Sequence, residues 1–433
     1  MTNGSTPALD TVRVRMYQVG FGDCFLLSFE YTAPEPARHV LIDFGSRRLA
    51  TGLDLADIAH EIHAHTNGGP DSVVLSHRHQ DHMSGFGGSN TASIVGRWKP
   101  RLVVRPWTED PNAPADADAP SQTSLRAGLA QGQVFARALS EVIADSARGA
   151  RGDIRDLAIA QLANQAAIDQ LAGWSKGRRG VYVNYGRPPA IDAIAPGVTA
   201  RVIGPPTVSQ HPAVRRERST SPDYWQLYQG FLGQMVQAGA LDLASEEQPA
   251  KSDDNRLVGP TRWLVEKLRG QELRSILRIV TALDHAMNNT SVILLIQAGD
   301  RRMLFCGDAQ IENWEYALKF ADDREEVLEL LRKVDLYKVG HHGSRNATPR
   351  TLYNLWTEPG TRERPMTALI STKPGVFPGK VGSGTEVPRE TLLTALRQRL
   401  TVFTTMDLPQ GQAYVEVAAP AFGDAPFTEV VPG

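Results

Sequence analysis

The segment His77-Arg78-His79-Gln80-Asp81-His82 decides the reading of this chain. It follows a short apolar run, Ser72-Val73-Val74-Leu75-Ser76, and precedes the small residues Ser84, Gly85, Gly87 and Gly88. Side chains alternate along an extended backbone, so a strand end aims residues 77, 79 and 81 the same way. Two imidazoles and a carboxylate then converge, and a turn brings His82 beside Asp81. These nitrogen and oxygen donors suit two divalent metal ions, Zn²⁺ first, with Mn²⁺ or Fe as alternatives. The glycines after the motif are expected to let the backbone crowd the site. The bland alternative, a solvated His-rich loop, explains the spacing less well.

Upstream, Val12–Gly20 alternates as a strand, Cys24–Tyr31 follows a Gly-rich turn, and His39–Gly45 reads as a buried strand ending at Asp43. Residues 54–65 have helical spacing, with Leu55, Ile58 and Ile62 on one face. Downstream, Arg101–Trp107 is another strand. From about residue 116 the chain becomes Ala- and Leu-rich and helical, and a second helical stretch runs from about Tyr224 to Val280. Strands return between them (180–186 and 198–206) and again as a hairpin turning at Ala298-Gly299-Asp300. Leu336–Gly340, Met366–Thr372 and Gln412–Ala418 read as strands, and residues 391–400 as a helix. The simplest picture is an α/β core in three pieces (1–115, 181–207 and 281–433), interrupted by helical insertions at 116–180 and 208–280.

The 433 residues suffice for a large core plus inserted material, and the net charge of −2 excludes a basic nucleic-acid-coating protein. Two cysteines, Cys24 and Cys306, sit in apolar runs as small hydrophobes, so neither a disulfide scaffold nor a cysteine-rich zinc module fits. No apolar segment of signal-peptide or membrane-spanning length is visible, so a cytoplasmic protein without a membrane partner is expected. His60, His63 and His65 are read as a solvated helix face.

A strand ending in Asp, a helix, and a strand ending in H-x-H-x-D-H together resemble the metallo-β-lactamase superfamily. That resemblance implies an αββα sandwich with two metals. It also implies a bridging Asp in a Gly-Asp pair, met at Gly307-Asp308, and a third His for the first metal at the head of the preceding hairpin. His285 stands 23 residues before Asp308 and fits that place. A His ending a later strand completes the second metal, and His341 and His342 both offer themselves. One binds metal while the other orients it or donates a proton to a leaving group.

Within the superfamily, VGFGDCFLL, NNTSVILLI, KVGHHGS and the stretch from ALIST to DLPQG resemble the metal-hydrolase domain of ComEC-like competence proteins. The likeness covers about residues 12–107, 181–207 and 281–418. Two departures stand out: Phe21 replaces the usual Gln, and His79 stands where Asp is common.

The resemblance implies hydrolysis by a hydroxide shared between metals about 3.5–4 Å apart. The metal set is His77, His79, Asp81, His82, His285, Asp308, His341 and His342, and the catalytic set is Asp81, Asp308 and His342. Asp43 is expected to hydrogen-bond a ligand His. Ser344, Arg345 and Lys338 are weighed as phosphate contacts but left outside the catalytic set. The first reading of function is a phosphodiesterase or nuclease acting on an anionic phosphodiester such as DNA or RNA. Hydrolysis of a lactone, thioester or β-lactam is the alternative, and a non-catalytic binding or regulatory protein is the third.

Overall fold

Along β1 (Leu9–Tyr17), Val12, Val14 and Met16 are buried on one face, while Arg13 and Arg15 on the other meet Glu30, Glu61 and Glu416. This strand has one apolar face and one charged face, so it alternates. The strands nearer the middle do not alternate, because both of their faces are covered. In β2 (Cys24–Tyr31), Phe25, Leu27 and Phe29 enter one core layer and Cys24 and Leu26 another. The same parity divides Val40 and Ile42 from Leu41 in β3 (Arg38–Phe44), and Val74 from Val73 in β4 (Ser72–Val74).

The structure is a computed structural model that describes residues 7–110, 165–177, 179–207, 209–211, 287–344, 348–358, 360, 364–376 and 386–430. Among these, β1 to β4 join β5 (Leu102–Pro106), β6 (Gly180–Val183), β13 (Tyr414–Pro420) and β14 (Thr428–Glu429) in one sheet. Its order is β14-β13-β1-β2-β3-β4-β5-β6. The second sheet has the order β12-β11-β10-β9-β8-β7. Its strands are β7 (Val198–Gly204), β8 (Ile293–Ala298), β9 (Arg301–Phe305), β10 (Leu336–Lys338), β11 (Thr367–Ile370) and β12 (Thr401–Thr404). Both sheets are mixed: β3 to β6 run parallel in the first, and β9 to β12 in the second.

Three apolar layers follow from this. Phe25, Leu27, Val40 and Val74 of the first sheet pack with Leu294, Ile296, Met303 and Phe305 of the second. On the outside of the first sheet lie Leu55, Ile58 and Ile62 of the helix Leu55–His65, as their spacing predicts. On the outside of the second lie Trp314, Val327, Leu331, Leu352 and Leu396 from helical segments between residues 311 and 397. The architecture is the αββα sandwich of the metallo-β-lactamase fold.

Residues 1–113, 164–211 and 288–433 form one compact unit. The helix Gln165–Trp174 comes from the Ala- and Leu-rich stretch, and its Leu171 and Trp174 join the outer layer of the first sheet. The rest of that stretch, and the second helical stretch from Tyr224 to Val280, lie outside the described residues. No helix of the described residues is long and apolar enough to cross a membrane.

The outer layer is keyed by Trp98, which is 1% exposed, 6.1 Å from the Phe44 ring and stacked on Trp174 at 6.4 Å. Replacing it by Ala leaves a ring-sized void behind β3, the strand that carries Asp43. We expect Trp98→Ala to lower unfolding stability by about 3–5 kcal/mol, read from chemical denaturation. A loss below ~1 kcal/mol would mean this layer is not close-packed.

Candidate metal centre

The site forms where strands of both sheets end. Asp43 is the last residue but one of β3, and its φ of 55° lies in the left-handed region. Asp43 Oδ1 accepts the Ser76 amide at 2.7 Å, and Oδ2 accepts the Ser76 hydroxyl at 2.6 Å and His82 Nδ1 at 2.8 Å. The expectation that Asp43 supports a histidine is met in this contact.

The decisive segment is not one extended run. β4 stops at Val74, and the chain stays irregular to His79, which begins the one-turn helix Gln80–Met83. His77 and His79 do converge, with Nε2 of the first 2.9 Å from Nδ1 of the second. Asp81 and His82, however, are aimed by a helical turn rather than by strand alternation. The turn can sit there because Gly22 and Gly45 have no side chains. A Cβ on Gly22 would come 2.7 Å from the Asp81 carbonyl oxygen, and one on Gly45 2.5 Å from the Met83 nitrogen. The close approach lets the Asp23 amide bond the Asp81 carbonyl at 2.9 Å. The glycines after the motif have another role than crowding the site. Space at Gly85 is taken by the Phe44 ring, and at Gly87 by the backbone of residues 166 and 167.

From the second sheet, β9 leads to Gly307-Asp308 and β10 to His341-His342. Both histidines have left-handed φ, 42° and 53°, and the turn separates their fates. His342 is wholly buried; its Nδ1 donates to the Ser371 carbonyl at 2.9 Å, and its Nε2 stands 3.2 Å from Asp81 Oδ2 and 3.7 Å from Asp308 Oδ2. The His341 side chain remains 23% exposed, with Nε2 3.8 Å from Asp308 Oδ2.

Two groups of donors result, each within 4.8 Å: Asp81, His82, Asp308 and His342, and His77, His79 and Asp308. Asp308 belongs to both. His285 lies outside the described residues. The trio Asp23, Asp43 and His82 is equally close, but it meets His82 at Nδ1, which Asp43 already occupies.

The donor set fits a metal for a specific reason. His82 and His342 each spend their Nδ1 proton on a protein acceptor, so each neutral ring turns a lone pair outward at Nε2. His82 Nε2 faces Asp308 Oδ2 at 3.2 Å, and His342 Nε2 faces Asp81 Oδ2 at the same distance. Two acceptors that close, away from water, need a proton or a metal cation between them. His82 Nε2 and Asp308 Oδ1 are buried with no hydrogen-bond partner among the described residues.

Without a metal, the proton affinities put a proton in that place. Burial opposes charge on His82, but Asp308, Asp43 and Asp23 override it and hold its pKa well above the ordinary value. Burial likewise opposes charge on His342, and Asp308 and Asp81 raise it. His77 is pushed well below by burial and by its neighbours His82 and His79. Burial works to raise Asp81 and Asp308, yet the histidines around them pull both below the usual carboxylate range.

Beneath the donors lies a pair the motif reading passed over. Lys338 is 1% exposed; its ammonium contacts Asp23 Oδ2, donates to the Gly307 carbonyl at 3.0 Å and stands 3.9 Å from Asp308 Oδ1. Burial works against its charge, but Asp23 and Asp308 raise its pKa above that of a free lysine. Lys338 is therefore turned under the site and has no reach to a substrate phosphate. Ser344 is also buried, and Arg345 lies outside the described residues. Asp23 had a signal in the sequence, a carboxylate closing a Gly-rich turn at a strand's start. Lys338 had another, a charge inside an apolar strand, which is rare without a buried partner.

No family model matches the chain, and no curated protein matches it. The αββα sandwich and its two His/Asp groups are those of a generic metal-dependent hydrolase.

Asp43 orients His82 and fixes its tautomer, so Asp43→Asn should weaken Zn²⁺ binding by about 10–100-fold in chelator competition. Unchanged affinity would show that His82 needs no carboxylate behind it.

Proposed function

We propose that this chain hydrolyses phosphodiesters with two divalent metal ions, Zn²⁺ first, and that nucleic acid is its substrate class. The observation that carries the reading is the sharing of Asp308 between the two donor groups. Asp81, His82, Asp308 and His342 would hold one ion, and His77, His79 and Asp308, joined by His285, the other. Ions so placed lower the proton affinity of a water and draw charge from a substrate oxygen, an arrangement suited to in-line displacement at phosphorus. The ComEC-like motifs VGFGDCFLL, NNTSVILLI and KVGHHGS support the same substrate class.

The residues then divide the proton work. Asp81 is the acceptor for the attacking water's proton, since its Oδ2 borders the shared donor cluster. His342 has both ring nitrogens committed, Nδ1 to the Ser371 carbonyl and Nε2 to the cluster, so it has no proton to give. His341, at the partly exposed edge and 3.8 Å from Asp308, is the better donor to the leaving oxygen.

The test is hydrolysis of bis(p-nitrophenyl) phosphate and of labelled single- and double-stranded DNA and RNA by metal-replete protein. Asp81→Ala and Asp308→Ala should each abolish it. His341→Ala should slow nucleic-acid cleavage by about 10²–10⁴-fold and leave the nitrophenyl ester almost unaffected, because that leaving group needs no proton. A metal-replete protein that opens lactones or thioesters and leaves every phosphodiester intact would sink the proposal.

A further inference from the structure

A cavity of about 330 Å³ opens beside the metal centre, and nothing in the hydrolytic chemistry uses it. It shares a wall with the centre. The Ser371 carbonyl holds His342, and the next residue, Thr372, lines the cavity. Phe21 packs its ring 4.2 Å from the His342 ring, and the preceding residue, Gly20, lines the cavity too.

The floor is built and buried. Gln18 is 8% exposed, and its Nε2 donates to the Thr405 carbonyl at 3.0 Å, which fixes the amide so that Oε1 is the free end. Thr405 is clasped to Thr372 in both directions: the Thr372 amide donates to the Thr405 hydroxyl at 2.8 Å, and that hydroxyl donates to the Thr372 carbonyl at 2.8 Å. This leaves two buried polar atoms, Gln18 Oε1 and Thr372 Oγ1, with no hydrogen-bond partner among the described residues. Ala50, Met406 and Leu408 supply apolar walls. Lys373, the cation of the lining, is turned away to the Leu49 carbonyl, so the cavity is not arranged for a phosphate.

A small pocket with apolar walls and a few fixed polar atoms is a ligand site. Oε1 can only accept, and a primary amino group carries two N–H donors, enough for both Gln18 and Thr372. The geometry points to a base-binding pocket that takes an amino-bearing nucleobase of the nucleotide beside the scissile phosphodiester, an inference that rests on the phosphodiesterase reading. The apolar walls cover the ring faces, and the floor reads the amino edge. Buried acceptors left unpaired penalise a base that lacks this group.

The test compares adenosine with purine riboside, which has the same sugar and ring without the amino group, by ligand-observed NMR titration of the full chain. Wild type should bind adenosine about 25-fold more tightly, about fivefold for each of two net hydrogen bonds. Gln18→Met should cut that preference about fivefold and leave the share due to Thr372. Thr372→Val, which keeps the shape and loses the hydroxyl, should weaken adenosine and leave purine riboside unchanged. If Gln18→Met fails a thermal-unfolding check, Thr372→Val decides alone. No saturable binding to wild type, equal affinity of wild type for both nucleosides, or a preference undiminished by either substitution overturns the pocket. Neither nucleoside contains a phosphodiester, so the two readings fail separately. An adenosine preference without phosphodiester hydrolysis drops the enzymatic reading alone; hydrolysis without an adenosine preference drops the pocket alone.

Discussion

The structure turns on acceptors held against acceptors. His82 Nε2 and Asp308 Oδ2 face each other at 3.2 Å, as do His342 Nε2 and Asp81 Oδ2, after both rings have given their only neutral-state proton to Asp43 and to the Ser371 carbonyl. In a buried setting that arrangement is unfavourable by itself, because lone pairs stripped of water repel. A proton or a metal cation between them reverses the sign, and the raised pKa values of His82 and His342 mark that demand. The rest of the fold can be understood as what keeps these groups from relaxing apart when no cation is present.

That restraint comes from strand ends rather than from the donor side chains. Asp43 stands at the end of β3, Asp308, the His341-His342 pair and Ser371 follow β9, β10 and β11, and the His77–His82 segment follows β4. In both sheets these are strands with parallel neighbours, so their carboxyl ends fall on one edge, where open α/β sheets gather their ligands. Close backbone contact then locks the edge. Gly22 and Gly45 admit the turn carrying Asp81, and Gly307, with φ of 47°, lies where a Cβ would meet the Ser76 side chain at 2.6 Å. The left-handed Asp43, His341 and His342 store local strain that close packing can sustain and an open loop would release.

How much of this was legible follows from what each signal encodes. Period-two alternation and buried apolar runs located β1 to β5 and the hairpin of β8 and β9, because burial on one or both faces is written in local composition. The donor identities His77, His79, Asp81, His82, Asp308 and the pair at 341 and 342 were legible as chemistry. Their geometry was less so. The sequence predicted Asp81 on an extended run, but closing contacts with Gly22 and Gly45, far away in sequence, select a helical turn. The choice between His341 and His342 depends on two left-handed φ angles and on the Ser371 carbonyl. Lys338 looked available to substrate because local sequence does not reveal that Asp23 lies beneath it.

The buried pair of Lys338 and Asp23 also bears on how many ions the centre suits. Asp23, Asp43, Asp81 and Asp308 are buried around it and Lys338 is the buried ammonium among them, which leaves three negative charges if the histidines are neutral. One divalent ion would leave the centre anionic and repel a phosphate. Two turn the balance to a single positive charge, which the attacking hydroxide would neutralise. Lys338 supplies the margin: without it, two ions would only just cancel the carboxylates. Its distance of 3.9 Å from Asp308 Oδ1 puts that charge behind the shared carboxylate, where it would temper Asp308's hold on any ion without occupying a coordination position. The residue set aside from substrate contact thus helps set how many ions the buried carboxylates can balance.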